Sequence, residues 1–277
     1  MRSYIGAKTS SMRLQKIQSS HVVRKTGTVK KKPAMKRVLN QVRTREAMPS
    51  SSIASHRPRA LITGGAIRLG RAIAEALARA GMDVAIGYHG SRRKARRTVR
   101  ALEALGARAA AFRADLAIPT HAARLVADAA WALGGLDVLV NNAARFQRTP
   151  FLATTPAQYD RLLELNLRGA FFASQAAARA MGRRGGRIVN IGDAGADRAW
   201  PGYIPYTLSK AGIAALTRGL AAALRPRRIA VNCVAPGAVL RPRGFPLARW
   251  KTLSRGRDGG VAAVAAAVVF FATCPPQ

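Results

Sequence analysis

The stretch Ala60-Leu61-Ile62-Thr63-Gly64-Gly65-Ala66-Ile67-Arg68-Leu69-Gly70 sets a short apolar run against a glycine-rich turn, and a helical pattern over Leu69–Ala80 follows, stopped by Gly81. A brief apolar run closed by such a turn reads as a buried strand. Glycines let the backbone turn tightly and approach a pyrophosphate resting on the N-terminus of the next helix. Gly64, Arg68, Leu69 and Gly70 are therefore candidate cofactor contacts. Arg68 stands where such turns usually carry a middle glycine, and a guanidinium there can pair with a cofactor phosphate. As a glycine motif alone the turn is a weak signal; its place after a first strand strengthens it.

Outward from this stretch the chain alternates strands and helices. The pattern predicts strands over Asp83–Tyr88, Ala107–Arg113, Leu136–Asn141, Arg187–Ile191 and Arg228–Val234. Between them it predicts a basic helix from a Ser91 cap to near Gly106 and a helix from a Thr120 cap through Leu133. A long helix from Thr155-Pro156 through Met181, a helix over Tyr206–Leu224 and a buried helix over Val261–Ala272 complete the set. Such alternation implies an α/β chain with a Rossmann-like, doubly wound parallel sheet in a single domain. Ligands of such sheets bind beyond the carboxyl ends of the strands, where the chemistry-bearing residues fall.

The second strand ends in Tyr88-His89-Gly90-Ser91-Arg92-Arg93. An NAD-selective site usually has a carboxylate here for the ribose 2′-hydroxyl. This chain offers hydroxyl, imidazole and guanidinium groups instead, which suit a 2′-phosphate and predict NADP(H), with Tyr88, His89 and Ser91 as contacts; Arg92 and Arg93 read equally well as solvated helix residues. Asp115, after the third strand, can accept from an adenine amine, and Asn142 and Ala143, after the fourth, can line the cofactor's ribose. Asn166 sits inside the long helix, where Asn is a poor helix former. Holding a water beside Lys210 would explain it; a solvated helix-surface Asn is the bland alternative.

Tyr206 and Lys210 are four residues apart and share a helix face. An ammonium so close favours phenolate, which lowers the tyrosine pKa and readies it for proton transfer. Asp193, thirteen residues before Tyr206, can supply or relay a proton to the same spot. Alone, the Tyr–Lys spacing reads as a chance surface pair; it gains weight from lying where the fold needs an active site.

The net charge of the 277 residues is +35, which brings nucleic acid into question. Residues 1–58 hold 14 Lys and Arg against the single acid Glu46. The remaining 33 basic residues are nearly all Arg, dispersed through Ala-rich helices, and aromatics are 6%. There is no basic–aromatic interleaving of the kind that stacks on single strands, so sequence-specific nucleic-acid binding is not expected. The segment 1–58 reads as a basic, disordered extension: a transit-like peptide, an electrostatic tail, or an upstream extension of a chain starting at Met48. Residues 59–277 form the expected domain. Cys233 and Cys274 suggest a reduced compartment, and Cys233 reads as a small buried hydrophobe. No metal site is expected, because no His/Cys ligand cluster occurs. No membrane span is expected either, and the localisation read is cytoplasmic, with organelle import through the basic segment as the alternative.

Together these residues resemble the short-chain dehydrogenase/reductase family over about Ala60–Gly237, and within it the pteridine reductases. Three details carry the finer resemblance: Arg68 in T-G-x-x-x-R-x-G, Asp193 where most members carry Ser, and Phe146 just after Asn141-Asn142-Ala143. The resemblance implies a catalytic set of Asn166, Asp193, Tyr206 and Lys210, with Lys210 also on the nicotinamide ribose and Pro236 and Gly237 against the cofactor. It implies that Phe146 stacks a pterin ring, and that Tyr203 joins Asp193 and Tyr206 in the substrate pocket; a core Phe and an exposed Tyr are the bland alternatives. The activity implied is NADPH-dependent reduction of a pterin or dihydropterin, dihydrofolate included. The alternatives are a ketone or 3-oxoacyl reductase of the same family, or an inactive truncated relative. Ala144 departs from the family, where Ser is frequent. The final strand of the family sheet is expected to be missing, since the sequence stops at Phe270-Phe-Ala-Thr-Cys-Pro-Pro-Gln277. A homo-oligomer, dimer or tetramer, is expected if the fold is complete.

Overall fold

The computed structural model describes residues 57–241, 244–254 and 260–274, so all but the last two residues of the basic extension lie outside the described residues. Strand β1 (Arg59–Ile62) is followed by helix α1 (Arg68–Arg79), β2 (Asp83–Tyr88), α2 (Arg92–Ala104), β3 (Ala109–Arg113), α3 (Pro119–Leu133) and β4 (Val138–Asn141). Then come α4 (Pro156–Leu163), a π-helical turn (Glu164–Arg168), α5 (Gly169–Met181), β5 (Gly186–Ile191), α6 (Ile204–Leu224), β6 (Ile229–Val234), α7 (Leu247–Ser254) and α8 (Gly260–Thr273). The six described strands form one parallel sheet in the order β3-β2-β1-β4-β5-β6. Chain order reverses between β1 and β4, and the crevice beyond that switch point is where a doubly wound sheet binds ligands.

The central strands β1, β2 and β4 are buried on both faces, so their residues divide by parity. Ala60 and Ile62 of β1 pack with Ile73 and Leu77 of α1, Leu102 of α2 and Val268 of α8. Leu61 points the other way, among Leu125 and Ala129 of α3 and Ala173 and Ala177 of α5. Full burial of a Leu or Ile side chain contributes about 1.5–3 kcal/mol, so these two layers hold the sheet rigid beneath its loops.

Three local expectations are corrected. Thr120 does not cap α3: the helix begins at Pro119, with Ile118 in the cap position. Proline, lacking an N–H, fits the first helical position better than the residue before it. Ser91 does occupy the cap position of α2, but its side chain makes no capping bond. The helix expected to run unbroken from Pro156 to Met181 widens into the π turn at Glu164–Arg168, centred on Asn166. Its start is capped reciprocally, the Thr155 hydroxyl accepting from the Gln158 main-chain N–H while the Gln158 side chain accepts from the Thr155 main-chain N–H.

Candidate active site

Two cavities open at the carboxyl ends of the strands. The first, of about 690 Å³, runs from Gly64 and Arg68 past Tyr88, His89 and Ser91 to Asp115. The second, of about 660 Å³, adjoins it through Arg68, Asn142 and Ala144 and contains Asp193, Tyr206 and Lys210.

The turn after β1 is built to bring backbone close to a ligand. Gly64 has a φ of 65°, in the region that favours glycine. A Cβ on Gly70 would strike the Gly64 carbonyl oxygen and the Asn142 side-chain nitrogen. Ile67 at the cap position of α1 offers no side-chain acceptor, and the first turn holds no acid, so its N–H groups and positive dipole end face outward unopposed. Arg68 adopts a φ of 53° without being glycine, and its Nη2 donates to the Arg241 carbonyl at 2.9 Å. The guanidinium expected on a cofactor phosphate here ties the turn to the segment after β6.

The Asn142 amide expected along the ribose is likewise spent within the protein. Its Nδ2 donates to the Thr63 carbonyl at 2.9 Å and to the Gly64 carbonyl at 3.2 Å. Thr63 Oγ1 accepts from the main-chain N–H groups of Asn142 and Ala143 at 2.9 and 3.0 Å. The loop after β4 is thus bolted to the turn after β1, leaving the surfaces of Asn142 and Ala143 to line the first cavity.

At the far end of that cavity the Ser91 hydroxyl has no hydrogen-bond partner among the described residues. His89 Nε2 lies 3.8 Å from Asp115 Oδ2, and Asp115 Oδ1 accepts from the Ala117 N–H at 3.1 Å. Tyr88, His89 and Ser91 line the cavity, whereas Arg92 and Arg93 point to solvent and do not.

In the second cavity, β5 delivers Asp193 and α6 delivers Tyr206 and Lys210. Tyr206 Oη donates to Asp193 Oδ2 at 2.6 Å, and the other carboxylate oxygen accepts from the Gly195 N–H at 2.7 Å. Lys210 is buried, and its Nζ donates to the Ile191 carbonyl at 2.8 Å. Burial pulls its pKa down to about 8, with the charge of Asp193 and then Cys233 pulling the other way. Tyr206 departs from the sequence expectation. Burial, followed by the charge and hydrogen bond of Asp193, raises its pKa above the ordinary phenol value rather than lowering it. The neighbouring carboxylate and the loss of water outweigh the ammonium, so the phenol is held protonated, as a proton donor requires.

Asn166 is 2% exposed. Its Nδ2 donates to the Arg145 carbonyl and to Ser209 Oγ, each at 3.0 Å, and its Oδ1 accepts from the Arg145 N–H at 2.8 Å. Asn166 therefore locks the Phe146 loop to α6 one residue before Lys210. One lone pair of its Oδ1 is left for a water. The π turn that presents it is a feature that recurs at functional sites.

Phe146 and Tyr206 are perpendicular, with 4.8 Å between ring centroids and 88° between planes. Tyr203 stacks on Phe146 at 4.6 Å and 16° between planes. Tyr203 thereby covers one face of Phe146 and is not itself among the residues lining the cavity, which Phe146 does line. Pro236 and Gly237 line the same cavity, and the Pro236 carbonyl accepts from the Ala194 N–H at 2.9 Å. Sequence reasoning missed Arg198, Trp200, Phe245 and Trp250, which also line the cavity. Trp200 and Arg198 lie between Asp193 and Tyr206 in the chain, a position that could have marked them; nothing local marks Phe245 or Trp250.

Among the described residues no group of three or more His, Cys, Asp or Glu side chains could hold a metal ion, and no helix is long and apolar enough to cross a membrane.

A family model described as short chain dehydrogenase matches residues 58–247. An uncharacterised oxidoreductase of Methylorubrum extorquens is 37% identical over 181 residues, covering 65% of this chain and 73% of its own. A 3-oxoacyl-[acyl-carrier-protein] reductase of Staphylococcus aureus is 35% identical over 182 residues, covering 65% and 74%. A crystal structure of a short chain dehydrogenase from Burkholderia cenocepacia in complex with NADP is 41% identical, with a TM-score of 0.72 over 77% of this chain and 89% of that one.

Proposed function

The chain belongs to the short-chain dehydrogenase family, and we propose that within it the protein is an NADPH-dependent reductase of a pterin or dihydropterin, dihydrofolate included. The observation that carries the reading is the 2.6 Å bond between Tyr206 and Asp193 in a cavity lined by aromatic rings. A carboxylate–phenol pair suits protonation of a basic ring nitrogen, and the Phe146 and Trp200 rings lining the cavity suit a flat heterocycle.

The residues present fit NADPH. The cradle at Gly70 and the uncapped N-terminus of α1 suit a pyrophosphate. The unspent Ser91 hydroxyl and His89, with no carboxylate at the end of β2, suit a 2′-phosphate. The turn from Gly64 through Arg68 and Leu69 to Gly70 would hold the pyrophosphate by its main-chain N–H groups, with the Arg68 guanidinium kept on the Arg241 carbonyl; Tyr88, His89 and Ser91 would hold the 2′-phosphate, and Asp115 the adenine. Asn142, Ala143, Pro236 and Gly237 would line the remainder. When bound, NADPH supplies the hydride that reduces the C=N bond.

The chain's own residues handle the proton. Tyr206 Oη gives its proton to the ring nitrogen, and Asp193 orients the phenol and accepts bonds from the ring edge. Lys210, one turn along α6, holds the ribose and balances the phenolate left behind. A water on Asn166 returns the proton. General acid catalysis of this kind is worth about 10²–10⁴-fold.

A second reading, reduction of a ketone or 3-oxoacyl thioester, is favoured by the likeness to the Staphylococcus aureus reductase. NADPH oxidation by purified protein, followed with dihydrobiopterin, dihydrofolate and an acetoacetyl thioester offered separately, separates the two. Turnover confined to the thioester removes the pterin reading. The assembly proposed is a homo-oligomer, to be read by light scattering.

A further inference from the structure

The second cavity contains four charged side chains: Arg68, Asp193, Arg198 and Lys210. Three are committed. Arg68 donates to the Arg241 carbonyl, Asp193 is bonded to Tyr206 and the Gly195 N–H, and Lys210 donates to the Ile191 carbonyl. Arg198 differs. Its main-chain N–H is fixed to the Gly195 carbonyl at 3.1 Å, while its guanidinium has no hydrogen-bond or ion-pair partner among the described residues. It is exposed to solvent yet lines the cavity, on the same short loop as Asp193 and next but one to Trp200.

The cavity is thus polarised. Its carboxylate is bonded to the proton-donating phenol, aromatic rings stand among its walls, and its one charged side chain without a partner among the described residues is a planar cation offering paired donors. Guanidinium forks match carboxylate and phosphate oxygens bidentately. A neutral substrate would leave that fork to water; an anionic one would exchange water for a charge-assisted pair beside apolar walls. We propose that Arg198 is a specificity-determining residue, and that the substrate carries an anionic group, carboxylate or phosphate, away from the bond being reduced. The inference deepens, and rests on, the reductase reading above.

The test compares kcat/KM for dihydrofolate, which ends in carboxylates, for a dihydroneopterin phosphate and for neutral dihydrobiopterin, in wild type, Arg198→Gln and Arg198→Lys. A charge-assisted hydrogen bond is worth about tenfold or more in binding. The expected result is that Arg198→Gln lowers the ratio of anionic to neutral substrate about tenfold or more, chiefly through KM, and that Arg198→Lys recovers part of it. Whether the ratio falls for the carboxylate or for the phosphate identifies the group recognised. Failure of every pterin to turn over would count against the reductase reading alone. The same ratio is then taken with acetoacetate against diacetyl, and by quenching of Trp200 and Trp250 fluorescence with all the pairs. A ratio that moves less than twofold in every pair overturns the role of Arg198, whatever the reaction.

Discussion

Replacing Lys210 with Met should stabilise this protein while removing its activity. Lys210 is 5% exposed, and its pKa falls from 10.5 to about 8 chiefly through burial. At about 1.36 kcal/mol per pKa unit, holding the ammonium in the folded chain costs about 3 kcal/mol. The unfolded chain binds the proton more tightly than the folded one. The penalty is therefore fully present below about pH 8 and disappears as pH rises towards 10.5. Methionine fills nearly the same volume without charge, but it leaves the Ile191 carbonyl without its donor, a loss of about 1 kcal/mol. The net gain is about 2 kcal/mol, or a Tm rise of about 4–8 °C for a domain of this size. Thermal melts of wild type and Lys210→Met at pH 7 and pH 10.5 measure it. The difference between the two proteins isolates Lys210 from the titration of the many arginines and carboxylates they share. The variant should melt higher at pH 7, and by pH 10.5 the gap should close and reverse slightly, because the neutral lysine still donates to the Ile191 carbonyl and methionine does not. A variant that melts at or below wild type at pH 7, or a gap independent of pH, would show that burial does not penalise this ammonium.

Tyr206→Phe removes the proton donor and should lower turnover about 10²–10⁴-fold while NADPH still quenches tryptophan fluorescence with unchanged affinity; retained turnover would take Tyr206 out of the proton path. Gly70→Ala places a methyl against the Gly64 carbonyl and the Asn142 amide, so the turn must open. Its NADPH Kd should rise at least about tenfold and its stability fall by about 1–3 kcal/mol, and an unchanged Kd would refute the cradle. Ser91→Glu puts a carboxylate where a 2′-phosphate is expected and should shift the NADPH-to-NADH ratio of kcat/KM by more than about tenfold towards NADH; an unmoved ratio would place the 2′-phosphate elsewhere.

The strand ends were legible because they are local. β2 was predicted to the residue, and the helix over residues 261–272 proved to be α8 at the edge of the core. Glycine turns and four-residue helix spacings are properties of neighbouring residues, so Gly64, Gly70, Tyr206 and Lys210 announced themselves. The Thr120 cap failed for a reason also present locally, since Pro119 belongs at the first helical position. The relatives establish the family and leave the pterin reading as a proposal.

The sequence by itself determined the sheet, the order of the elements and the place where Asp193, Tyr206 and Lys210 meet. Only the tertiary structure decided what those groups and their neighbours are free to do. The direction of the Tyr206 pKa depends on how much water the fold removes and on a carboxylate thirteen residues away, where spacing alone had pointed to the lysine. Arg68 is spent on a carbonyl 173 residues distant, and Asn142 on the turn 78 and 79 residues before it. Arg198, one arginine among many in the chain, stands out only once every other charge in its cavity has found a partner. Motifs follow from bonded neighbours, whereas desolvation and hydrogen-bond competition arise from residues the fold brings together.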